Sequence, residues 1–489
     1  MSLSWLAVGL MLLLPWILAS LWLRTLWCKC DPGVLPLVIG YGFMLAMFGV
    51  SLVLFITGLI GMRPAIWPVM VILVLVALGS WGRLRTWFSL RQRSDDRPSA
   101  KPTIWSNILW AVLIVYLIVR FVALGIDLVL QPIIAWDAWT TWIFRTKAWA
   151  ETGQFVEFIS LDAWLADQTG SNNYPLLAAD YPLGVSLIAL WPVLAYGEWN
   201  ETAASLPWMA CAIAIGFGFY GQARLWGISP IEALFFTYIL FSLPLLNIHI
   251  ALPGYADIWL AAGLSLSAIA FFQWARTGDK RQLMLWLALA LACLMFKREA
   301  AAWIMLFIPA MIVARLSKPW QIRLVSVVLL FLLVNFLIGV IKIDMPFIGA
   351  FSLTPSLIEA PWIGRFELNY YNNWPAVWRH LFVYDNWHLL AYLLLFAVIA
   401  VFVRMFRLGV PSYFKAQIVF VLGSLVLLYV LFFLTGAHLW AEKATSINRL
   451  ILHFVPVYVF YIMTSWHLYW QPSNDVGLNF SGESCKTGE

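Results

Sequence analysis

Long uncharged apolar runs recur from one end of this chain to the other, and no water-soluble fold accommodates that pattern. A helix crossing a hydrocarbon layer needs about 20 largely apolar residues. Runs of roughly that kind fall near 3–23, 34–61, 65–81, 104–125, 203–222, 231–249, 258–275, 282–297, 300–315, 324–343, 388–403, 416–434 and 450–468. Only 11% of the residues are charged, against about 25% in an ordinary globule. The pattern predicts an all-α polytopic membrane protein with about 13 transmembrane helices. No segment reads as a separate soluble domain, so residues 1–489 are expected to form one integral membrane domain. The N-terminus has neither a basic leader nor an A-x-A-type cleavage site, so residues 3–23 read as a retained span.

Charge distribution orients the chain. The basic residues form short clusters between apolar runs, with no polybasic patch suited to nucleic acid. With the N-terminus outside, 19 of the 30 Lys and Arg fall on the inner side, as the positive-inside rule favours. Sixteen of the 24 carboxylates then fall outside, an asymmetry that orientation alone does not explain. Two long outer segments result, 126–202 and 344–387, and the tail from 469 to 489 lies inside. Within the first, YPLGVSLIALWPVLAYG (181–197) is apolar enough to span, but counting it would put Arg224 and every later basic cluster on the wrong side. It is expected to be a juxtamembrane helix lying at the outer surface. The five cysteines are scattered, and the one close pair, Cys28 and Cys30, lacks further ligands nearby for a zinc site.

Four stretches place charge where lipid would penalise it. AWDAWTTWIFRTKAWAETG (135–153), wound at 100° per residue, puts Trp139, Trp142, Thr146 and Trp149 opposite Asp137. The tryptophan stripe suits the headgroup level, and the carboxylate then points into protein or water; a solvated Asp on an interfacial helix satisfies the same pattern. LPGYADIWLAAG (252–263) starts a span at Asp257, either a functional acid or a helix N-terminus stabilised by it. MFKREAAAW (295–303) sets Lys297, Arg298 and Glu299 between apolar runs, where a plain polar turn is the simpler alternative. In HLWAEKATSINRLILHFVP (438–456), Arg449 enters the last span, either snorkelling or holding a phosphate. The topology puts all four on the outer face, so acids able to act as a base share one surface with cations able to hold a phosphate.

These stretches, in this order, resemble motifs of the GT-C glycosyltransferases. WDAWTTW with RTKAWAETG and NNYPLLAADYPLGVSLI is similar to the family's first outer loop. GYADIWLA resembles its second acidic motif, KREA its K-x-E-G, and TSINRLILHFVP its S-x-x-R-x-L-L…P stretch. The likeness runs over roughly 130–456. It departs at Tyr174-Pro175-Leu176 and Tyr181-Pro182-Leu183, which replace one compact motif, and at Ala300, which stands for a glycine. The resemblance implies a GT-C-like bundle in a bacterial inner membrane that transfers a sugar from a polyprenyl-phosphate carrier to an acceptor hydroxyl at the periplasmic face. Lipid, glycan and protein acceptors all fit. It implies Asp137 as general base and Asp257 as second acid. Arg449, Lys297, Arg145 and Lys147 would stabilise charge on the departing phosphate, with Tyr181, His249 and Glu299 as further substrate-binding candidates. Some relatives use a divalent metal; the absence of a dense carboxylate cluster in this sequence favours no metal and no other cofactor. A flippase or transporter, and an oligosaccharide ligase or polymerase, are the alternatives. A transport path would spread charges through the spans rather than gather acids at one surface.

Overall fold

The computed structural model describes residues 3–27, 32–89, 103–167, 169, 173–339, 341–345, 349–361 and 364–470. The Cys28–Cys30 pair, the basic cluster from Arg91 to Lys101 and the tail from 471 lie outside these residues.

Four long helices open the chain: α1 (Leu3–Arg24), α2 (Val34–Leu59), α3 (Trp67–Ser89) and α4 (Ile104–Leu130). A compact segment follows. Its π-helical turn at Ala138–Trp142 runs into α5 (Ile143–Thr152); β1 (Phe158–Ile159) then pairs with β2 (Tyr174–Pro175) around α6 (Leu161–Ala166), before α7 (Gly184–Tyr196). Next come α8 (Glu201–Leu225), α9 (Pro230–Ser242), α10 (Pro244–Ala251), α11 (Asp257–Thr277), α12 (Lys280–Leu294), α13 (Ala300–Ile304), α14 (Phe307–Arg315) and α15 (Lys318–Ile338). Strands β3 (Ile341–Met345), β4 (Gly349–Thr354), β5 (Leu357–Ala360) and β6 (Gly364–Glu367) form an antiparallel meander. After it lie α16 (Trp374–Trp378), a second π-helical turn at Arg379–Val383, α17 (Leu390–Arg407), α18 (Ser412–Leu434), α19 (His438–Glu442), α20 (Ile447–Leu452) and α21 (Val455–Trp470).

The chain is thus mainly helical, and among the described residues eight helices are long and apolar enough to cross a membrane. Joining α9 to α10, which bend by 69° at their junction, makes nine. Among the described residues, several of the thirteen expected runs do not form one long uninterrupted helix. Leu243 precedes Pro244, a position that disfavours helical backbone, and it is extended at φ −67°, ψ 122°. The run expected at 282–297 yields the 15-residue α12, and the last run breaks between α20 and α21. Between α15 and α16 the helical pattern is joined by the small sheet of β3, β4, β5 and β6. Two of its strands alternate apolar and polar residues, β3 as Ile341-Lys342-Ile343-Asp344-Met345 and β6 as Gly364-Arg365-Phe366-Glu367, a strand-like period.

Helix α11 occupies the centre, buried along almost its whole length, whereas α1, α4 and α15 leave most of their apolar surface open, as lipid-facing helices do. A buried polar knot pins the centre: Gln222 Nε2 donates to Tyr41 Oη at 2.8 Å and Gln282 Oε1 at 2.8 Å, and Tyr41 Oη donates to the Leu266 carbonyl at 2.6 Å. Helices α2 and α8 meet backbone to backbone, since a Cβ on Gly221 would lie 2.3 Å from the Leu37 amide nitrogen; small residues allow such approach between membrane helices.

Helix α7 is enclosed by protein: nearly all of it is buried, packed among α1, α2, α5 and α8. At 13 residues and 1.5 Å per residue, it spans about 20 Å, too short to cross a ~30 Å hydrocarbon layer.

Candidate functional site

The segment after α4 is fixed from both sides. Glu201 Oε2 accepts from the Ile133 amide at 3.1 Å, and the Trp139 indole donates to the Ile133 carbonyl at 2.6 Å. Thr146 Oγ1 donates to the Ser186 carbonyl at 2.9 Å, and Ser186 Oγ to the Trp142 carbonyl at 2.8 Å, which locks the π-helical turn onto α7. Such turns insert an extra residue and are common at functional sites. Asp137 stands immediately before this one. Gly254, at φ +105°, backs directly against it: a Cβ there would sit 2.3 Å from Ala138 Cβ.

Asp257, the first residue of α11, is fully buried and receives four charged or polar donors. Lys297 Nζ lies 2.9 Å from Oδ1 and His453 Nε2 3.0 Å from the same oxygen. Arg449 donates to Oδ2 from Nε at 3.0 Å and Nη2 at 2.8 Å. The same guanidinium reaches Asp137, from Nη1 to Oδ1 at 3.3 Å and from Nη2 to Oδ2. Lys297 also meets Glu299 Oε1 at 3.4 Å, which accepts from Tyr181 Oη at 3.5 Å. Burial alone would destabilise the charged forms of Lys297 and Glu299. Asp257 and Glu299 outweigh it to raise the Lys297 pKa, and Lys297, then His453, outweigh it to lower that of Glu299. Burial, followed by the charge of Glu299, pushes the Tyr181 hydroxyl up to about 12, so it stays a neutral donor.

Asp257, Lys297, Glu299, Tyr181 and Arg449 line a cleft of about 220 Å³ with Asp137, Trp136, Thr140, Trp440 and Ser446 on its walls. The cleft adjoins a larger groove of about 580 Å³. Tyr181, Glu299, Trp440 and Leu450 border both. Apolar side chains from α13, α18 and the sheet, including Trp303, Leu427 and Phe366, form most of the groove.

The structure therefore brings together Asp137, Asp257, Lys297, Glu299, Tyr181 and Arg449, and it separates three other candidates. Arg145 is fully buried. Its Nη atoms donate to the carbonyls of Ala178, Ala179, Tyr181 and Pro182 at 2.8–3.4 Å, so it holds the 178–182 loop and has no open face for a phosphate. Burial, partly offset by Asp180, lowers its pKa to about 10. Lys147 pairs with Glu151 at 3.8 Å and lies near the Trp139 and Trp199 rings, outside the cleft. His249 is buried beside Tyr255 and donates Nδ1–H to the Leu245 carbonyl at 2.9 Å, also off the cleft wall. The tryptophan stripe is corrected too. Trp142 and Trp149 are buried in protein, and Trp136, beside Asp137, is 70% exposed. The π-helical turn breaks the uniform 100° winding on which the stripe depended.

Two groups at the site escaped the sequence. The Trp303 indole donates to His453 Nδ1 at 3.1 Å. That nitrogen is therefore an acceptor, which fixes His453 as the neutral tautomer bearing its proton on Nε2, facing Asp257. The spacing of Arg449 and His453, four residues apart and hence on one helical face, was the available signal. Asn448 is held by His380 Nδ1 at 2.9 Å and by the Trp387 indole at 3.3 Å, so the segment after the sheet sets the position of α20 and of Arg449.

Fold and site together define a polytopic helical membrane protein with a buried acid–base network opening onto a polar cleft. No family model, curated protein or solved structure matches the chain. Among the described residues no group of three or more His, Cys, Asp or Glu is placed to hold a metal ion.

Proposed function

We propose that this protein is an inverting glycosyltransferase that moves a sugar from a polyprenyl-phosphate carrier to an acceptor hydroxyl, in a bacterial inner membrane with its site towards the periplasm. One observation carries the reading: a small polar cleft holding carboxylates and cations joins a long apolar groove, sharing Tyr181, Glu299, Trp440 and Leu450. A sugar on a lipid phosphate has that same division into a polar head and an apolar chain. The ordered likeness to GT-C motifs supports the same assignment.

Asp137 is the general base. Its side chain is 22% exposed and lines the cleft, whereas Asp257 is enclosed. An acceptor hydroxyl gives its proton to Asp137 as its oxygen bonds to the anomeric carbon. The bond from that carbon to the phosphate oxygen breaks on the opposite face, which inverts the centre. The departing lipid phosphate takes the electron pair. Once Asp137 has taken the proton, Arg449 loses one of its two carboxylate partners and, with Lys297, faces the growing negative charge, and Asp257 holds both cations in place.

The test is transfer of a labelled sugar from polyprenyl-phosphate donors by the purified protein in lipid nanodiscs. Asp137→Asn should lower the rate by about 10²–10⁴-fold, the usual contribution of a positioned base. Undiminished transfer by that variant would remove Asp137 from the mechanism. Absence of transfer from every such donor by the wild-type protein would refute the class of reaction.

A further inference from the structure

The cations of the acid–base cleft are already paired. Among the described residues of its lining, three carboxylates, Asp137, Asp257 and Glu299, stand against two cations, Lys297 and Arg449. His453 adds no charge, because Trp303 occupies its second nitrogen. Every nitrogen of the Arg449 guanidinium lies on a carboxylate, and Lys297 is enclosed between Asp257 and Glu299. Acids therefore outnumber bases, and an incoming phosphate would meet an unfavourable field without further cations.

Two further cations line the adjoining groove. Arg298 comes from the turn before α13, and Arg365 from β6 in the sheet. The rest of the lining is almost wholly apolar, with Glu299 its single acid among the described residues. Arg298 pairs with Asp180 and lies 5.9 Å from the centre of the Tyr181 ring. Asp180 has a side chain 65% exposed, so exchanging it for a ligand releases that carboxylate to water at small cost. Arg365 stands opposite Glu359 across the β5–β6 pair and is itself exposed.

We propose that Arg298 and Arg365 form the seat for the phosphate of a single-chain lipid phosphate whose tail lies in the apolar groove. This rests on the glycosyl-transfer reading for the lipid's role as donor; the binding itself is independent of transfer. Guanidinium groups pair with phosphate oxygens through two parallel donors, which a lysine cannot reproduce. Arg298 directly precedes Glu299, which borders cleft and groove alike. A phosphate held there directs its attached sugar into the cleft towards Asp137. Arg449 and Lys297 then act on the breaking bond rather than as the ground-state anchor.

The experiment is equilibrium binding of labelled sugar-free polyprenyl phosphate to the full detergent-purified chain, beside polyprenol of equal length and inorganic phosphate as competitors. Arg298→Gln and Arg365→Gln should each weaken polyprenyl-phosphate binding at least tenfold while leaving polyprenol binding unchanged. Arg298→Lys should recover part of the loss, and Lys147→Gln should have no effect. Unchanged polyprenyl-phosphate binding in both glutamine variants overturns the proposal. So does a parallel loss of polyprenol binding, which would make the arginines supports of the groove wall. Full competition by inorganic phosphate alone would overturn the tail assignment. Phosphate-selective binding by a protein that transfers no sugar would instead refute the glycosyl-transfer reading and leave the seat standing.

Discussion

Asp257→Asn isolates the strongest electrostatic feature of the molecule. The carboxylate is fully buried, and its two oxygens serve Lys297 and His453 on one side and Arg449 twice on the other. An asparagine keeps one acceptor oxygen. Whichever oxygen becomes an amide turns two hydrogens towards groups that are themselves donors. Breaking a buried ion pair by removing one partner costs about 3–5 kcal/mol. The lower end applies here, because Lys297 keeps Glu299 at 3.4 Å and Arg449 keeps Asp137. The expected loss is therefore about 3 kcal/mol, most of it from the cation left behind. Removing that cation as well, in Asp257→Asn with Lys297→Met, should cost less than the sum of the single changes by about 1–3 kcal/mol, as coupled neighbours do. The assay is unfolding of the detergent-solubilised protein followed by circular dichroism, run on the wild type, both single variants and the double variant. Additivity of the two changes to within about 0.5 kcal/mol would show that Lys297 does not depend on Asp257, and the reasoning would fail.

Two other perturbations test how the site is held. Gly254→Ala forces a Cβ to 2.3 Å from Ala138 Cβ at a backbone φ of +105°, so it should destabilise by roughly 1–3 kcal/mol and, under the proposed transfer reaction, lower kcat more than it raises KM, because Asp137 is displaced; an unchanged kcat would refute that link. His453→Phe leaves the Trp303 indole without its acceptor, at about 1–3 kcal/mol for a buried unsatisfied group, while Asp257 Oδ1 loses one donor and keeps Lys297. His453→Gln, with a donor for Asp257 and an acceptor for Trp303, should recover most of that loss, and thermal stability of the three proteins compared side by side decides it.

Much of the site was legible because charge in an apolar chain has few places to go. Asp137, Asp257, Lys297 and Arg449 lie far apart in sequence, yet each is expensive to leave alone in lipid, and they meet one another in a single network. Arg145 belongs to the same class of costly charge, but it resolves the cost with backbone carbonyls, a solution invisible without the path of the 178–182 loop. His453 was overlooked because a lone histidine on an apolar face has the same pattern whether it ligates, orients or only packs.

By itself the sequence determined that the chain is helical and built for a membrane, and which charges had to find partners. Hydropathy measures the gain from leaving water, and that gain is nearly the same whether the new surroundings are lipid or protein. Only the tertiary structure decided between the two. It sent α7 and the Trp142 and Trp149 rings into the protein interior, broke three of the expected runs, at α9–α10, α13–α14 and α20–α21, and added the sheet of β3 to β6. The phase of the Asp137 helix depended on one inserted residue in a π-helical turn. Such an insertion is set by packing against α7, not by local preference.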